Sequence, residues 1–296
     1  MKPPPFGYVA ATSVEEALDA LAEHGDEAKL LAGGQSLVPL LAFRLARPSV
    51  LVDLNGVDGL DGAALEDGTL VLGATARERT VERLPGLAER CRMIVEAIAH
   101  IGHVAIRNRG TVGGSLVHAD PAAEWPALAV ALDAELDATS KRGTRTIPAQ
   151  EFFVSYFTTS LEPDEVLTRI RVPLPNGRSG SAFLELARRH GDFALAGVGA
   201  HVTLTADGTA SDVRLGLIGV GDRPVRASGA EAALRGRIPD EEAVAEAAEA
   251  VAGEIEPTGD IHASADYRRH LATVLTRRAV TAAVERAGGG AHAGAA

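Results

Sequence analysis

Apolar residues follow two rhythms along this chain. Ile94, Val95, Ile98 and Ile101 recur at the three- and four-residue spacing of a helix face and predict a helix over 91–101. Elsewhere the apolar positions gather in short runs, at 28–31, 50–54 and 69–74, of the kind buried strands show. Ser13-Val14-Glu15-Glu16 is a capping box that opens a helix running to His24, with Gly25 as its stop. The run at 28–31 then feeds a glycine segment, a helix over 36–45 that tolerates Pro39 in its first turn, and the strand at 50–54. The first fifty or so residues therefore predict a β-α-β unit with its glycine loop at a strand–helix junction.

Downstream, Asp67-Gly68 marks a hairpin and Asp120-Pro121 an N-cap and first turn for a helix through Leu132. A second hairpin is expected from 134–139 and 144–147 around Lys141-Arg142-Gly143. The stretch 173–180, Pro-Leu-Pro-Asn-Gly-Arg-Ser-Gly, is the best linker in the chain. Beyond it, strands are expected at 181–187, 196–205 and 213–219, with an Asp207-Gly208 hairpin between the last two, then helices at 228–235, 240–252 and 264–286. Residues 288–296 read as a frayed tail. The division expected is 1–175, with lobes of about 1–55 and 56–175, followed by 181–287.

Two glycine segments carry the chemistry. Ala32-Gly33-Gly34-Gln35-Ser36 follows the first strand, and Thr111-Val112-Gly113-Gly114-Ser115 follows Arg107-Asn108-Arg109-Gly110. Glycine lets a backbone approach a ligand closely and adopt positive φ, and consecutive exposed N–H groups form a concave nest for an anion. Two nests brought together suit a pyrophosphate, hence a dinucleotide cofactor. A Gly-Gly pair after a strand is also an ordinary turn, so the pairing of the two segments is what adds weight. The Rossmann fingerprint is missing: Gly197-Val198-Gly199 and Gly219-Val220-Gly221 both lack the third glycine.

Composition narrows the choice of function. With 296 residues and 46% hydrophobic positions the chain can bury sizeable cores, and the length favours two domains. A net charge of −11 argues against nucleic acid or an anionic membrane as partner. No apolar stretch reaches transmembrane length, and the first residues lack the apolar core of a signal peptide, so a cytoplasmic location is expected. Cys91 is the only cysteine, so the chain cannot by itself ligate an iron–sulfur cluster. His100 and His103 share helical spacing but lack the carboxylate pattern of a metal helix, and no metal site is expected.

The two glycine segments, in this order and at this separation, resemble the FAD-binding signatures of the medium subunit of molybdenum hydroxylases, the carbon monoxide dehydrogenase and xanthine dehydrogenase relatives. The likeness continues through 118–127 (His-Ala-Asp-Pro-Ala-Ala-Glu-Trp-Pro-Ala), 188–194 (Arg-Arg-His-Gly-Asp-Phe-Ala) and 264–268 (Ser-Ala-Asp-Tyr-Arg), from about Phe6 to Val284. The resemblance implies an α+β fold. A two-lobed FAD-binding domain of the vanillyl-alcohol-oxidase (PCMH) type would precede a C-terminal domain like that of the carbon monoxide dehydrogenase flavoprotein. It implies FAD on this chain, a small partner subunit with 2Fe–2S clusters, a large molybdopterin subunit, and assembly as a dimer of heterotrimers. Non-covalent binding is expected because neither glycine segment contains a His, Cys or Tyr.

Carried over by position, Ala32, Gly33, Gly34, Gln35 and Ser36 would contact the FAD pyrophosphate and ribityl region, and Thr111, Val112, Gly113, Gly114 and Ser115 would clasp it from the other side. Glu124 falls where relatives place an acid near the adenosine end, and it is equally a first-turn carboxylate favoured by the helix dipole. Leu167 matches an apolar position near the adenine and is also an ordinary strand core residue. Phe193 stands close to the isoalloxazine where some relatives have tyrosine, so it can stack but not donate a hydrogen bond. Glu185 replaces a lysine of several relatives, and Ser115 an aspartate or asparagine. The function implied is electron transfer from iron–sulfur clusters of a partner chain to an external acceptor. A free-standing flavin oxidoreductase, with His190 and Asp192 as candidates for proton transfer, and a non-catalytic scaffold subunit are the alternatives.

Overall fold

The computed structural model describes residues 2–289, so the expected frayed tail lies, beyond Gly289, outside the described residues. The first lobe holds β1 (Gly7–Ala10), α1 (Val14–His24), β2 (Ala28–Leu31), α2 (Leu37–Ala42) and β3 (Val50–Asp53). Its three strands pair in parallel in the order β1-β3-β2. The β-α-β reading of β2, α2 and β3 holds. Strand β1 has no counterpart in the sequence reading, because its four residues are largely exposed and carry no apolar alternation.

Helix α1 forms where its cap predicts. Ser13 Oγ accepts from Glu16 N at 3.2 Å, and Gly25, at φ +51°, donates to Leu21 O to end the helix. Helix α2 stops at Ala42, three residues earlier than expected, because Arg44 turns to φ +60°. The core of the lobe gathers Ala17, Leu18, Leu21, Val52 and Leu54.

The middle lobe is built on an antiparallel sheet. Its strands are β4 (Ala63–Glu66), β5 (Thr69–Gly73), β6 (Glu135–Ser140), β7 (Gly143–Pro148) and a later strand, β10 (Val166–Pro173), in the order β4-β5-β10-β6-β7. The Asp67-Gly68 hairpin has positive φ at both residues, as a tight two-residue turn requires. Between β5 and β6 run six helices: α3 (Glu78–Glu82), α4 (Leu87–Arg90), α5 (Arg92–His100), α6 (Val104–Arg107), α7 (Val112–His118) and α8 (Glu124–Ala131). The short α9 (Ala149–Phe152) and the two-stranded hairpin β8 (Phe153–Ser155) and β9 (Thr158–Thr159) complete the lobe.

Helix α8 starts at Glu124 and not at Asp120-Pro121. Asp120 Oδ1 instead accepts from Ala122 N at 2.9 Å, an Asx turn, after Ala119 has turned to φ +51°. All eight residues of α8 are buried, so it shows no amphipathic period.

The C-terminal region pairs β11 (Ser179–Ala187), β12 (Ala194–Leu204), β13 (Ala210–Ile218) and β14 (Val225–Arg226) in chain order, all antiparallel. Helices α10 (Ser228–Leu234), α11 (Glu241–Ala250) and α12 (Ala265–Ala287) cover one face. Gly180 lets α12 lie flush on β11, since a Cβ there would sit 2.1 Å from Ala283 O. The other face packs on the middle lobe, and Phe183 and Ile218 belong to the same core as Ile94, Ile98 and Trp125. Glu96 of α5 locks the junction: it accepts from Phe183 N at 3.0 Å and pairs with Arg286 Nη2 at 2.8 Å.

Candidate cofactor site

The fold brings the two glycine segments into contact. The first leaves β2, and the second enters α7 after the short α6. A Cβ on Gly33 would lie 2.3 Å from Arg109 O and 2.9 Å from Gly110 Cα, so the two backbones touch with no room for a side chain. Gly34 adopts φ +72°, the left-handed conformation that L side chains resist. Among the described residues, no acceptor takes the N–H groups of Gly33, Gly34 or Gln35, and the Gln35 side chain folds back to donate to Gly33 O at 3.0 Å. The first segment is therefore a nest of free donors.

The second segment differs from the expected matching nest. Val112 N donates to Ala76 O and Gly113 N to Ala74 O, both at 3.0 Å, while Thr111 caps α7 by accepting from Gly114 N at 3.1 Å. Its donors are spent on the protein. Its glycines serve packing: a Cβ on Gly113 would meet Ala74 O at 2.5 Å, and one on Gly114 would meet Thr111 Oγ1 at 2.6 Å. Gly114 also faces Ala32, whose Cβ lies 3.8 Å from that position.

Two residues that sequence reasoning missed tie the segments together. Asn55 donates to Ala32 O at 2.8 Å, and Arg77 reaches Asn55 Oδ1 at 2.5 Å with one guanidinium nitrogen and Arg109 O with the other. Burial and the neighbouring Arg109 hold the Arg77 pKa below its usual value. Asp53 accepts from Tyr8 and from Asn55 N, and these bonds keep its carboxyl below the usual range against the cost of burial. The only signal in the sequence was the position of Asn55, just past a buried strand.

A buried carboxyl flanks the turn that leads into the second segment, and two further carboxyls have raised proton affinity. Glu78 N donates to Gly110 O at 3.1 Å, while its Oε2 has no partner, and burial pushes its carboxyl up to about 7. Glu124, the first residue of α8, is 7% exposed, and burial, with Glu185 as the leading charged neighbour, raises it well above the carboxylate range. Burial also lifts Glu185 to about 7.

The remaining candidates lie apart from this contact. Leu167 is 3% exposed and sits in the middle core opposite Ala138. Its neighbours Thr168 and Arg169 line a recess of about 500 Å³ between Asp58–Leu60 and the middle sheet. Phe193 is exposed at the edge of a second cavity of about 630 Å³, shared with Asp120, Tyr156, Arg188 and His262. The 188–193 loop leans on Gly102 and His103 through Gly191, and His190 faces the His103 ring at 6.3 Å.

Residues 4–175 match the family model described as the FAD binding domain in molybdopterin dehydrogenase, and residues 181–283 match the CO dehydrogenase flavoprotein C-terminal domain. The chain belongs to the FAD-binding medium subunits of the molybdenum hydroxylases. This medium subunit is 44% identical to the 6-hydroxypseudooxynicotine dehydrogenase complex subunit alpha of Paenarthrobacter nicotinovorans, over 97% of each chain. It is 38% identical to the carbon monoxide dehydrogenase medium chain of Hydrogenophaga pseudoflava, over 96% of this chain and 98% of that one. Among solved structures, carbon monoxide dehydrogenase from H. pseudoflava superposes with a TM-score of 0.94 at 40% identity, covering 97% and 99% of the two chains. Quinoline 2-oxidoreductase from Pseudomonas putida 86 gives 0.91 at 39% identity, covering 99% and 100%. The α+β architecture expected from the glycine signatures is that of the family. As an FAD-binding medium subunit of an oxidoreductase complex, the chain fits neither the free-standing enzyme nor the scaffold.

Proposed function

We propose that this medium subunit holds one FAD non-covalently at the junction of its two glycine segments, Ala32–Ser36 and Thr111–Ser115. It passes electrons from 2Fe–2S clusters on a small partner subunit to an external acceptor. Substrate is hydroxylated at the molybdopterin of a large partner subunit, and the complex is a cytoplasmic dimer of heterotrimers. The observation that carries the reading is the run of free N–H groups at Gly33, Gly34 and Gln35, pressed against the Arg109–Gly110 backbone.

These donors fit a pyrophosphate: they are unspent, they surround a left-handed glycine, and a side chain at Gly33 would obstruct them. The second segment supports the cofactor by shape, letting α7 begin flush against Ala74. Arg77 and Asn55 hold the two halves in register. Glu124, Leu167 and Phe193 complete the proposed contact set. Bound FAD supplies the redox chemistry, and the protein supplies grip, orientation and electrostatics. A buried Cys91, the sole cysteine, leaves cluster ligation to another chain. Among the described residues no helix is long and apolar enough to cross a membrane. A core confined to residues 195–287 supports the division at 175–181, and a first-lobe core drawn mostly from residues before Val57 supports the one near 55.

Purified chain should carry one flavin per polypeptide, released completely by acid. Dithionite should bleach that flavin in the isolated chain, whereas the substrate of the hydroxylase should bleach it only in the assembled complex. Rapid substrate-dependent reduction by the isolated chain would defeat the subunit reading.

A further inference from the structure

Three residues of the first lobe form an unbroken hydrogen-bonded line from the protein surface to the first glycine segment. Tyr8 lies on the edge strand β1 and is 57% exposed, so a change in its side chain leaves the core untouched. It pairs with Leu51 of β3 and therefore shares a face with Asp53, two residues further on. The Tyr8 hydroxyl donates to Asp53 Oδ2 at 2.5 Å. Asp53 Oδ1 accepts from Asn55 twice, from the backbone N at 2.8 Å and from Nδ2. Asn55 Nδ2 also donates to Ala32 O at 2.8 Å.

Both Nδ2 hydrogens of Asn55 are thus spent, on Asp53 and on Ala32 O, and its Oδ1 accepts from Arg77. Turned over, the amide would set its oxygen against the Asp53 carboxylate and the Ala32 carbonyl, and its hydrogens against a guanidinium. Asp53 therefore selects the one orientation that serves both other neighbours. That orientation controls the start of the nest. The Ala32–Gly33 peptide is planar and trans, so holding Ala32 O on one side aims Gly33 N–H towards the other. The same amide steadies Arg77, whose second guanidinium nitrogen holds Arg109 O, the atom that a Cβ on Gly33 would strike.

We propose that Tyr8 and Asp53 are remote positioning residues for the cofactor: they fix the Asn55 amide, which in turn orients Gly33 N–H towards the pyrophosphate. The inference rests on the cofactor site proposed above. Charge alone predicts the opposite role for Asp53. A carboxylate near an anion site repels the anion, so an Asp53 that held nothing in place would weaken FAD binding, and its removal would tighten it. Tyr8 separates the two effects. The bond to Asp53 holds the Tyr8 pKa above its usual value, so Tyr8→Phe breaks the line near neutral pH without changing the charge.

The test is fluorescence titration of the flavin-free full chain with FAD near neutral pH. Tyr8→Phe should raise the dissociation constant at least about threefold, and Asp53→Ala at least about tenfold. Asp53→Asn keeps an oxygen for Asn55 and turns its amide nitrogen to the Tyr8 oxygen, so it should recover most of the affinity lost in Asp53→Ala. In an Asn55→Ala background the Tyr8→Phe effect should vanish, because the line is already cut, whereas a merely structural loss would persist there. Where a variant binds too weakly to titrate, the Gly33 amide resonance of flavin-free chain decides. It should move in Tyr8→Phe, and an unmoved resonance overturns the proposal. Tyr8→Phe and Asp53→Ala chains that bind FAD as tightly as wild type or tighter also overturn it, and leave the cofactor site standing if Gly33→Ala still weakens binding. Failure of the wild-type chain to bind FAD overturns the site itself.

Discussion

Gly33 and Arg109 are seventy-six positions apart in the chain, yet a single methyl group cannot fit between them: a Cβ on Gly33 would stand 2.3 Å from the Arg109 carbonyl oxygen. That contact closes the proposed clasp, and it sets the first prediction. Gly33→Ala must push the 107–110 turn away and splay the two segments. FAD affinity should fall at least about tenfold, equivalent to ~1.4 kcal/mol, by fluorescence titration of flavin-free chain. Unchanged affinity would remove this contact from the site.

Gly34 separates binding from folding better than the second segment does. Its φ of +72° makes a side chain cost about 1–2 kcal/mol, while the nearest atoms, Val38 Cγ2 at 3.1 Å and Leu31 Cδ1 at 3.2 Å, belong to side chains that can shift. Gly113→Val, by contrast, drives a branched side chain into the backbone of Ala74 in the buried core. Gly34→Ala should therefore weaken FAD binding with a modest loss of stability. Gly113→Val should unfold the chain at several kcal/mol lower cost than wild type, on the scale of core overpacking and backbone clash. Denaturant titrations with and without FAD distinguish the two.

Arg77 is the residue whose loss should uncouple the lobes. Arg77→Met keeps the bulk of the stem but abandons the Asn55 amide oxygen and the Arg109 carbonyl. The expected cost is on the order of 1–3 kcal/mol in stability, with a parallel fall in FAD affinity. In flavin-free chain, hydrogen exchange should quicken both at the bonded amides of 54–57, beside the first segment, and in 109–115. Faster exchange confined to one stretch would mean that Arg77 does not bridge them.

Glu78 predicts a pH dependence of known sign. Its folded pKa, about 7, lies above the unfolded value near 4.5, so the folded state binds more protons between those limits. The stability that the neutral acid allows is present below pH 4.5 and is lost as pH rises through 7. Glu78→Gln, which is always neutral, should remove this loss, making the variant more stable than wild type at pH 8 by on the order of 3 kcal/mol relative to pH 4.5. Urea titrations of flavin-free chain at pH 5 and 8 measure it, and equal pH sensitivity in both proteins would refute the assignment.

Cys91 should be chemically silent. Burial pushes its thiol up to about 11, against a weaker opposing effect of the Ser181 hydroxyl 3.8 Å away. At pH 8 its reaction with a thiol-specific disulfide reagent should run at least about 100-fold slower than that of free cysteine, since only the thiolate reacts. Unfolding should expose one reactive thiol per chain. Fast reaction in the native state would show that the α5–β11 junction opens.

The sequence by itself determined the elements whose cause is local. Ser13 and Ser264 cap their helices, Asp67-Gly68 supplies the positive φ of a hairpin, and apolar runs mark strands β2, β3 and β5. It also identified both glycine segments, because a left-handed turn or a close backbone approach leaves a glycine behind. Only the tertiary structure decided what those segments do. It made the first a nest of free donors and spent the donors of the second on Ala74 and Ala76, a distinction that depends on partners thirty-nine and thirty-six residues away. It began α8 at Glu124 because an Asx turn at Asp120 competes with the cap, and it buried that helix on every side. Hydrogen bonds between distant residues have no period in a sequence, so the Asn55–Arg77 bridge became visible only once the chain was folded.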